Sequence, residues 1–402
     1  MNTVLVHDKE IDRKTIPSET LKLLSMSDSL VSRKPGIFTI EDLINIKKYI
    51  NFSLLLPIKH KDMVFDTKIS QENTLPIKIS ELIDLFIKIR QHALSWNNVE
   101  YQVKQQSIDL ELTGRNITMT GNQLIDYINQ MPLLERISQR IEELDISNIE
   151  LIGFSSDDYI IANELVNILE LIKDDIILQS KKTTVVRNTV ADFRTYIIGG
   201  NLSNEQQIDS LLFATRKIKQ QLEDIIDSND THHLLNQIEL KKDEVGQLEQ
   251  EYSHYVKLAF TGLAGGIIGL IITGSIFGDK AEKIRARKNI LLNEIIALEE
   301  QINIDKKLNG LLSNITVRLQ HMDSYFRDAR LALDHLDYMW QTILAEINDS
   351  IAKFKTINNS HLLAQFTIQL KKIILSWDAV TDYSQHLILL FEHKNINPLS
   401  PI

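Results

Sequence analysis

The 402-residue chain contains no cysteine, which excludes disulfides, thiol nucleophiles and cysteine-ligated metal sites. Proline is also scarce: none of the seven prolines lies between residues 133 and 397. Because a proline costs about 3 kcal/mol inside a helix, this gap permits very long helices. Alternating strand patterns and Asn-Gly or Asp-Gly turns are rare as well, so the sequence predicts an all-α fold.

Basic residues are outnumbered: the chain has 44 Lys and Arg against 54 Asp and Glu, a net charge of −10. Nucleic-acid-binding proteins normally carry a basic domain or stripe, so we expect no nucleic-acid partner. Catalytic patterns are missing too. The 11 histidines show no HExxH or similar ligand spacing, and the glycines at 269–275 lack the lysine of a phosphate loop. We therefore expect no enzymatic activity, no cofactor and no metal site.

Long apolar runs are absent with one exception. Residues 258–278, called the head segment below, read LAFTGLAGGIIGLIITGSIFG and carry no charge over 21 residues. About 20 apolar residues suffice to enter a bilayer. Six of the chain's 14 glycines lie here, and glycine is costly in soluble helices but more frequent in membrane helices. The pattern favours membrane contact over the alternative, a buried core hairpin.

The predicted membrane-contacting residues are the large apolar side chains of the head segment: Leu258, Phe260, Leu263, Ile267, Ile268, Leu270, Ile271, Ile272, Ile276 and Phe277. The head glycines, some of which recur at four-residue spacings that permit close helix approach in lipid, are Gly262, Gly265, Gly266, Gly269, Gly274 and Gly278. A straight helix of this length would span about 30 Å, the whole hydrocarbon core. A hairpin with arms of about 15 Å would reach only one leaflet. The helix patterns on both sides favour the hairpin.

Six basic residues flank the head segment: Lys257, Lys280, Lys283, Arg285, Arg287 and Lys288. Such a flank can contact anionic lipid headgroups. Asp279 and Glu282 dilute its charge, so a solvated helix face is an equal alternative.

Capping residues and helix breakers predict where the helices begin and end. Thr39 is expected to cap the first helix. The predicted helices cover 39–56, 80–112, 120–145 and 157–196, with Gly114 and Gly199 as stops. Ser203 and Gln206 form a capping-box pattern, from which a further helix is predicted to run unbroken to the head segment.

Seam positions that are mostly apolar recur in alternating steps of four and three on both sides of the head segment. One run extends from Leu234 to Tyr255 and the other from Ile284 to Asp305, although Lys and Asp occupy some positions. A further run extends from Leu308 to Ile347. This spacing favours coiled-coil-like packing. The sequence therefore predicts an elongated helical bundle (the tail), a long coiled-coil stalk and an apolar hairpin head.

The predicted parts of the chain follow from these patterns. They are the N-terminal part of the tail bundle (1–200), the ascending stalk helix (201–257), the head (258–278), the descending stalk helix (279–320) and the C-terminal part of the tail bundle (321–402). The three tryptophans, Trp96, Trp340 and Trp377, are expected to anchor the bundle core.

Long proline-free helices, with one glycine-rich apolar hairpin between two stalk helices, resemble the ClyA-type α-pore-forming toxins. Chain length, the single apolar segment at 258–278 and a wide N-terminal helical portion are most similar to the A component of the alpha-xenorhabdolysin (Xax/Yax) binary toxins. The resemblance implies a soluble monomer that contacts the target-cell membrane through the head and joins a B component in a ring of heterodimers. It also implies that the partner forms much of the transmembrane pore.

The first residues lack an apolar run before their charges, so no secretory signal of the usual kind is recognised. Together with the resemblance, this predicts secretion without a recognisable signal peptide and action at a host target-cell membrane. Two alternative functions stay open. One is a self-sufficient or three-part ClyA-type haemolysin component. The other is a bitopic, membrane-anchored coiled-coil scaffold, which would fractionate with membranes when produced alone.

Overall fold

The computed structural model describes residues 37–67, 78–136, 151–223, 232–264, 279–302 and 307–392. Within these residues the predicted all-α fold is confirmed. The helices are α1 (Ile40–Leu54), α2 (His60–Thr67), α3 (Ile79–Asn129), α4 (Pro132–Arg136), α5 (Ser156–Ile198), α6 (Leu211–Glu223), α7 (His232–Ala264), α8 (Asp279–Ile302), α9 (Lys307–Phe354) and α10 (Ser360–Glu392). Between α5 and α6, two short strands, β1 (Gly200–Asn201) and β2 (Gln207–Ile208), pair antiparallel.

Four long helices, α3, α5, α9 and α10, form the central bundle. At 51 residues, α3 is about 77 Å long. Helices α5 and α9 run antiparallel, because Arg194 Nε lies 2.6 Å from Asp323 Oδ1 and Arg187 Nη1 lies 3.2 Å from Asp337 Oδ2. Helix α10 packs along α3 and also contacts α9. The elongated shape follows from helices of this length packed side by side.

The apolar run in α9 supplies the centre of the core, as predicted from its spacing. Its buried positions are Leu308, Leu312, Ile315, Leu319, Met322, Phe326, Ala329, Leu333, Leu336, Trp340, Ile343 and Ile347. Trp96, Trp340 and Trp377 are all buried, which confirms their predicted place. Trp340 stacks on Trp377 of α10 with ring centroids 6.1 Å apart, and its indole N–H donates to Thr183 Oγ1 of α5 at 2.8 Å. The tryptophans therefore join three helices of the bundle.

Two predicted helix boundaries are confirmed. Thr39 caps α1 in a capping box: the Asp42 N–H donates to Thr39 Oγ1 at 3.1 Å, and the Thr39 N–H donates to Asp42 Oδ2 at 2.9 Å. Gly199 ends α5 with a φ of +81°, a backbone conformation that favours glycine.

The predicted stop at Gly114 is wrong, because α3 continues through it to Asn129. The buried face of α3 also continues, through Leu110, Ile117 and Leu124. Burying these side chains outweighs the cost of about 1 kcal/mol for a glycine inside a helix. The helix predicted over 120–145 is thus in part the end of α3, and residues 137–150 lie outside the described residues.

The capping box predicted at Ser203 is also wrong. Ser203 lies in the loop that joins β1 to β2. Its N–H and hydroxyl both donate to the carboxylate of Asp192 in α5, at 2.7 and 2.5 Å. Helix α6 begins later, after Ser210, whose Oγ accepts from the Phe213 N–H at 2.9 Å. The predicted helix therefore does not begin at 203, and residues 224–231, between the described part of α6 and α7, lie outside the described residues.

The contact between α3 and α10 is close at Gly121. A Cβ at this position would lie 2.5 Å from Ile374 Cγ1. We expect Gly121→Ala to lower the free energy of unfolding by about 1 kcal/mol net, because overpacking outweighs the gain in helix propensity. Gly246→Ala is the matched control: a Cβ there meets nothing within 4 Å, so it should raise stability by up to about 1 kcal/mol. Urea unfolding of both variants checks the pair, and equal effects would contradict the close contact.

Candidate functional site

Helices α7 and α8, called the stalk pair below, bracket the head segment. They run antiparallel: Lys241 Nζ lies 2.5 Å from Glu294 Oε2, and Arg287 Nη2 lies 3.0 Å from Glu244 Oε1. Their apolar seam includes a small core: Ile238, Leu292 and Ile295, with Val317 of α9. Because α7 ends at Ala264 and α8 begins at Asp279, antiparallel pairing brings both ends of the head segment to the same end of the stalk pair.

The predicted membrane-contacting residues divide between α7 and the undescribed part of the chain. Leu258, Phe260, Gly262 and Leu263 belong to the last turns of α7. The other predicted head residues lie outside the described residues: Gly265, Gly266, Ile267, Ile268, Gly269, Leu270, Ile271, Ile272, Gly274, Ile276, Phe277 and Gly278. Across the described ranges, no helix combines the length and the hydropathy needed to cross a bilayer. Membrane contact by the head segment stays a prediction.

The basic flank of the head segment is split between surface and interior. Lys283 and Arg287 are exposed. In contrast, Arg285 and Lys288 are only 5% and 2% exposed and are paired with carboxylates. In this conformation these two cations therefore face protein rather than headgroups. The side chains of Lys257 and Lys280 lie outside the described part of the chain.

Seven residues, of which Glu249 and Arg327 are partly exposed and the others buried, form what we call the junction cluster: Asp42, Glu249, Tyr252, Arg285, Lys288, Arg327 and Asp328. Glu249 accepts from Lys288 Nζ at 2.7 Å and lies 2.6 Å from Arg327 Nη2. Lys288 also donates to Ser324 Oγ at 2.8 Å. The cluster thus links both stalk helices to α9.

The same cluster reaches α1. Arg285 Nη1 lies 3.2 Å from Asp42 Oδ1, and both side chains are almost fully buried. The Tyr252 hydroxyl donates to Asp328. Breaking a buried pair by removing one partner costs about 3–5 kcal/mol, because the other charge is left uncompensated. The head-proximal halves of the stalk pair are therefore held to the bundle by buried charges as well as by apolar packing.

The ionisation of the cluster follows from its burial and its charges. Burial opposes the charge of Glu249, but Lys288 and Arg327 outweigh it and hold the pKa of that carboxyl below its usual range. Burial also lowers the pKa of the Lys288 ammonium, and the Glu249 carboxylate offsets only part of this effect. The steps of four and three predicted Lys288 at a seam position of α8, but the sequence does not show which carboxylate it pairs with. A charged residue at a seam position was the one signal that could have indicated a buried ion pair.

A cavity of about 620 Å³ lies between α3, α5, β2 and α6, and none of its lining residues belongs to the stalk pair. Leu85, Tyr196 and Ile218 contribute apolar surface, and Glu81 and Asp209 contribute carboxylates. No group of three or more metal-ligating side chains occurs among the residues that the structure describes.

Similarity to known proteins indicates the class to which the chain belongs. No protein-family model matches the chain, and no curated protein sequence matches it. Among solved structures, it is similar to YaxA from Yersinia enterocolitica, with 33% identity, a TM-score of 0.49, and coverage of 89% of this chain and 97% of that one. It is also similar to a chain of the XaxAB pore complex from Xenorhabdus nematophila, with 36% identity, a TM-score of 0.44, and coverage of 89% and 98%.

A more distant match supports the fold. Soluble SmhA of the tripartite α-pore-forming toxin Smh from Serratia marcescens shares 8% identity, with a TM-score of 0.56 and coverage of 98% of both chains. Fold and similarity together define the class as that of the α-pore-forming toxins. Within that class, the chain belongs to the Xax/Yax-type, ClyA-like toxin family.

Proposed function

We propose that this chain is the A component of a binary pore-forming cytotoxin, a haemolysin. The observation that carries the proposal is its 33% identity to YaxA over 97% of that chain. In this proposal the protein is a soluble monomer that binds a target membrane and then assembles with a B component into a ring-shaped hetero-oligomeric pore. The similar YaxAB and XaxAB chains come from pore complexes, which supports an oligomeric end state. The action is mechanical and needs no enzymatic step.

The proposed membrane contact is the head segment. Its 21 uncharged residues and the antiparallel stalk pair support a hairpin that enters one leaflet. Lys257, Lys280, Lys283 and Arg287 are the proposed headgroup contacts, since Arg285 and Lys288 are buried in the junction cluster. Arg287 would exchange its exposed partner, Glu244, for a headgroup. We further propose that the producing cell releases the protein and that it acts at a host target-cell membrane.

Dye release from liposomes tests the division of labour. We expect little or no release by this chain alone, because two arms of about 15 Å cannot line a pore through about 30 Å of hydrocarbon. Adding the cognate B component should give strong release. Release at sub-micromolar concentration without a second protein would contradict the proposal and favour a self-sufficient pore former. A chain that is obtained only in the membrane fraction when produced alone would favour the scaffold instead.

A further inference from the structure

A smaller cavity, of about 190 Å³, lies between α1, α8 and α9 and is called the three-helix cavity below. Its polar lining residues are Asn45 and Lys48 of α1, Asn293 of α8, and Arg318 and His321 of α9. Each of them can donate hydrogen bonds, and no acidic residue lines the cavity within the described part of the chain. One water takes about 30 Å³ of the liquid, so the cavity has room for a ligand of several heavy atoms.

His321, which is only 6% exposed, brings a buried donor to this cavity. Its Nδ1 lies 2.8 Å from the hydroxyl oxygen of Tyr325, and that oxygen accepts from Asn45 Nδ2 at 3.0 Å. Because Asn45 is a donor here, the hydroxyl hydrogen is directed to Nδ1. A neutral imidazole that accepts at Nδ1 carries its own hydrogen on Nε2. That atom is buried and has no hydrogen-bond partner among the described residues, so its N–H calls for an acceptor.

The unpartnered nitrogen faces the three-helix cavity. Tyr325 is not a lining residue, whereas His321 is, so the imidazole edge at the cavity is the one that carries Nε2. Buried donors in folded proteins are nearly always paired with protein, water or a ligand. The acceptor for this N–H is therefore a molecule held in the cavity.

Two cations flank the imidazole. Arg318, one turn before His321, is held in place: its Nε donates to Asn314 Oδ1, and its guanidinium lies over the ring of Phe52 in α1, 4.8 Å from the ring centroid. Lys48 is exposed, and its flexible stem lets the ammonium reach over the mouth of the cavity. Charged donors from two helices thus accompany the imidazole N–H.

The imidazole itself lies in a region of positive potential. Burial, together with the charges of Lys288 and Arg318, lowers the pKa of His321 to about 3. The positive charge that keeps a second proton off the ring attracts an anion to its N–H. The electrostatics of the site therefore suit an anionic ligand.

Two carboxylates of α1 lie near this region without lining the cavity. Burial raises the pKa of the Tyr325 hydroxyl, and the charges of Asp42 and Glu41 raise it further. Asp42 is paired with Arg285, whose Nη1 lies 3.2 Å from its Oδ1. Glu41 is one turn closer to the start of α1 than Asn45 and is not a lining residue. The described lining thus carries two positive and no negative formal charges.

We propose that the three-helix cavity binds one small oxyanion of the phosphate class, with the His321 Nε2–H, the Arg318 guanidinium and the Lys48 ammonium as its donors. A tetrahedral oxyanion offers several oxygens and can accept from α1 and α9 at the same time. Hydrogen bonds from charged donors to an oxyanion are about twice as strong as those between neutral groups. A water could pair with the imidazole but would not offset the two cations. Asn293 can add a donor from α8, so the anion would join the stalk pair to α1 and α9.

A phosphate group could come from a soluble compound or from a lipid headgroup. Asn293 lies about 21 Å along α8 from Asp279, the first residue of that helix, at a rise of about 1.5 Å per residue. A membrane that holds the head segment would lie at the Asp279 end. The geometry therefore favours a soluble phosphate, such as inorganic phosphate or a phosphate monoester.

Calorimetric titration of the full chain with inorganic phosphate, at constant ionic strength, tests the cavity. We expect saturable binding of one phosphate per chain, and Lys48→Gln should weaken it about fivefold, the effect of one charge at an exposed mouth. Lys47→Gln is the matched control, because Lys47 is also exposed but does not line the cavity. No saturable binding, or equal weakening by the two substitutions, would overturn the proposal.

Nitrogen-15 NMR of the histidine side chains tests the donor. Phosphate should shift the Nε2 resonance of His321 over the same concentration range as the heat of binding, and the loss of that resonance in the His321→Gln variant identifies it. His254, at an exposed site on α7, should not respond. Saturable binding that leaves the His321 resonance unchanged would place the anion elsewhere and overturn the assignment of this cavity.

Vesicles separate the two sources of phosphate. The calorimetric titration is repeated with vesicles of phosphatidylcholine alone and with vesicles that also contain phosphatidic acid. Equal phosphate affinities are expected and assign the site to a soluble phosphate. A lower affinity beside phosphatidic acid would show that a headgroup competes for the cavity, and would support the anion site with a lipid as its ligand. The B component takes no part in these measurements, so they stand apart from the test of the proposed function.

Discussion

Replacing Ile268 and Ile271 with aspartate should abolish flotation of the chain with liposomes and leave its far-ultraviolet circular-dichroism spectrum unchanged. Each aspartate costs about 2.5–3.5 kcal/mol at the centre of a membrane helix, and the favourable contribution of each isoleucine is lost as well. The two changes together remove roughly 6 kcal/mol of insertion free energy, more than a thousandfold in the partition constant. Since the head segment is the one charge-free run of this length in the chain, no other segment is expected to compensate.

Exposed isoleucines on other helices supply the control for this experiment. Ile160 of α5 and Ile290 of α8 are 63% and 51% exposed, so Ile160→Asp with Ile290→Asp adds the same two charges to the surface. That variant should float like the unsubstituted chain. Unchanged flotation of the Ile268→Asp, Ile271→Asp variant would refute the head as the membrane contact.

Periodicity made the bundle core predictable. The run from Leu308 to Ile347 repeats in steps of four and three, and all its positions lie inside the bundle. Local chemistry was equally informative at Thr39, because a capping box involves residues only three apart. Features that depend on near neighbours along the chain can be derived from the sequence.

Features that depend on distant residues could not be derived in this way. Asp42 and Arg285 are 243 residues apart in the sequence, so no local pattern shows that they pair. Arg285 and Lys288 consequently looked like part of a solvated or lipid-facing basic flank. Gly114 misled for a related reason: its cost in a helix is local, but the core that carries α3 through it is built by other helices.

Helix α3 shows a related limit. Ile117, which is buried, and Met119, which is exposed, are both large and apolar, and composition does not distinguish them. Only the packed structure shows which of two apolar stripes on α3 faces the bundle. An exposed apolar stripe is therefore recognised only when the exposure of each side chain is compared with its spacing along the helix.

Acidification from pH 7.5 to pH 5 should destabilise the bundle. Burial lowers the pKa of His92 to about 4 and that of His321 to about 3, against an ordinary value near 6.5. For His321, the charges of Lys288 and Arg318 act in the same direction. Both imidazoles are therefore neutral in the folded state and take up protons on unfolding as the pH falls below about 6.5. At pH 5 each costs about 2 kcal/mol of unfolding free energy relative to pH 7.5.

Urea unfolding at pH 7.5 and pH 5 measures this loss, and substitution assigns it. His92→Gln with His321→Gln should lower stability at pH 7.5, because His92 bonds to Tyr49 and Phe193 and His321 to Tyr325, but should remove most of the further loss at pH 5. His254→Gln, at an exposed site, should leave the pH dependence as it is. Equal losses in the unsubstituted and doubly substituted chains would show that other groups dominate.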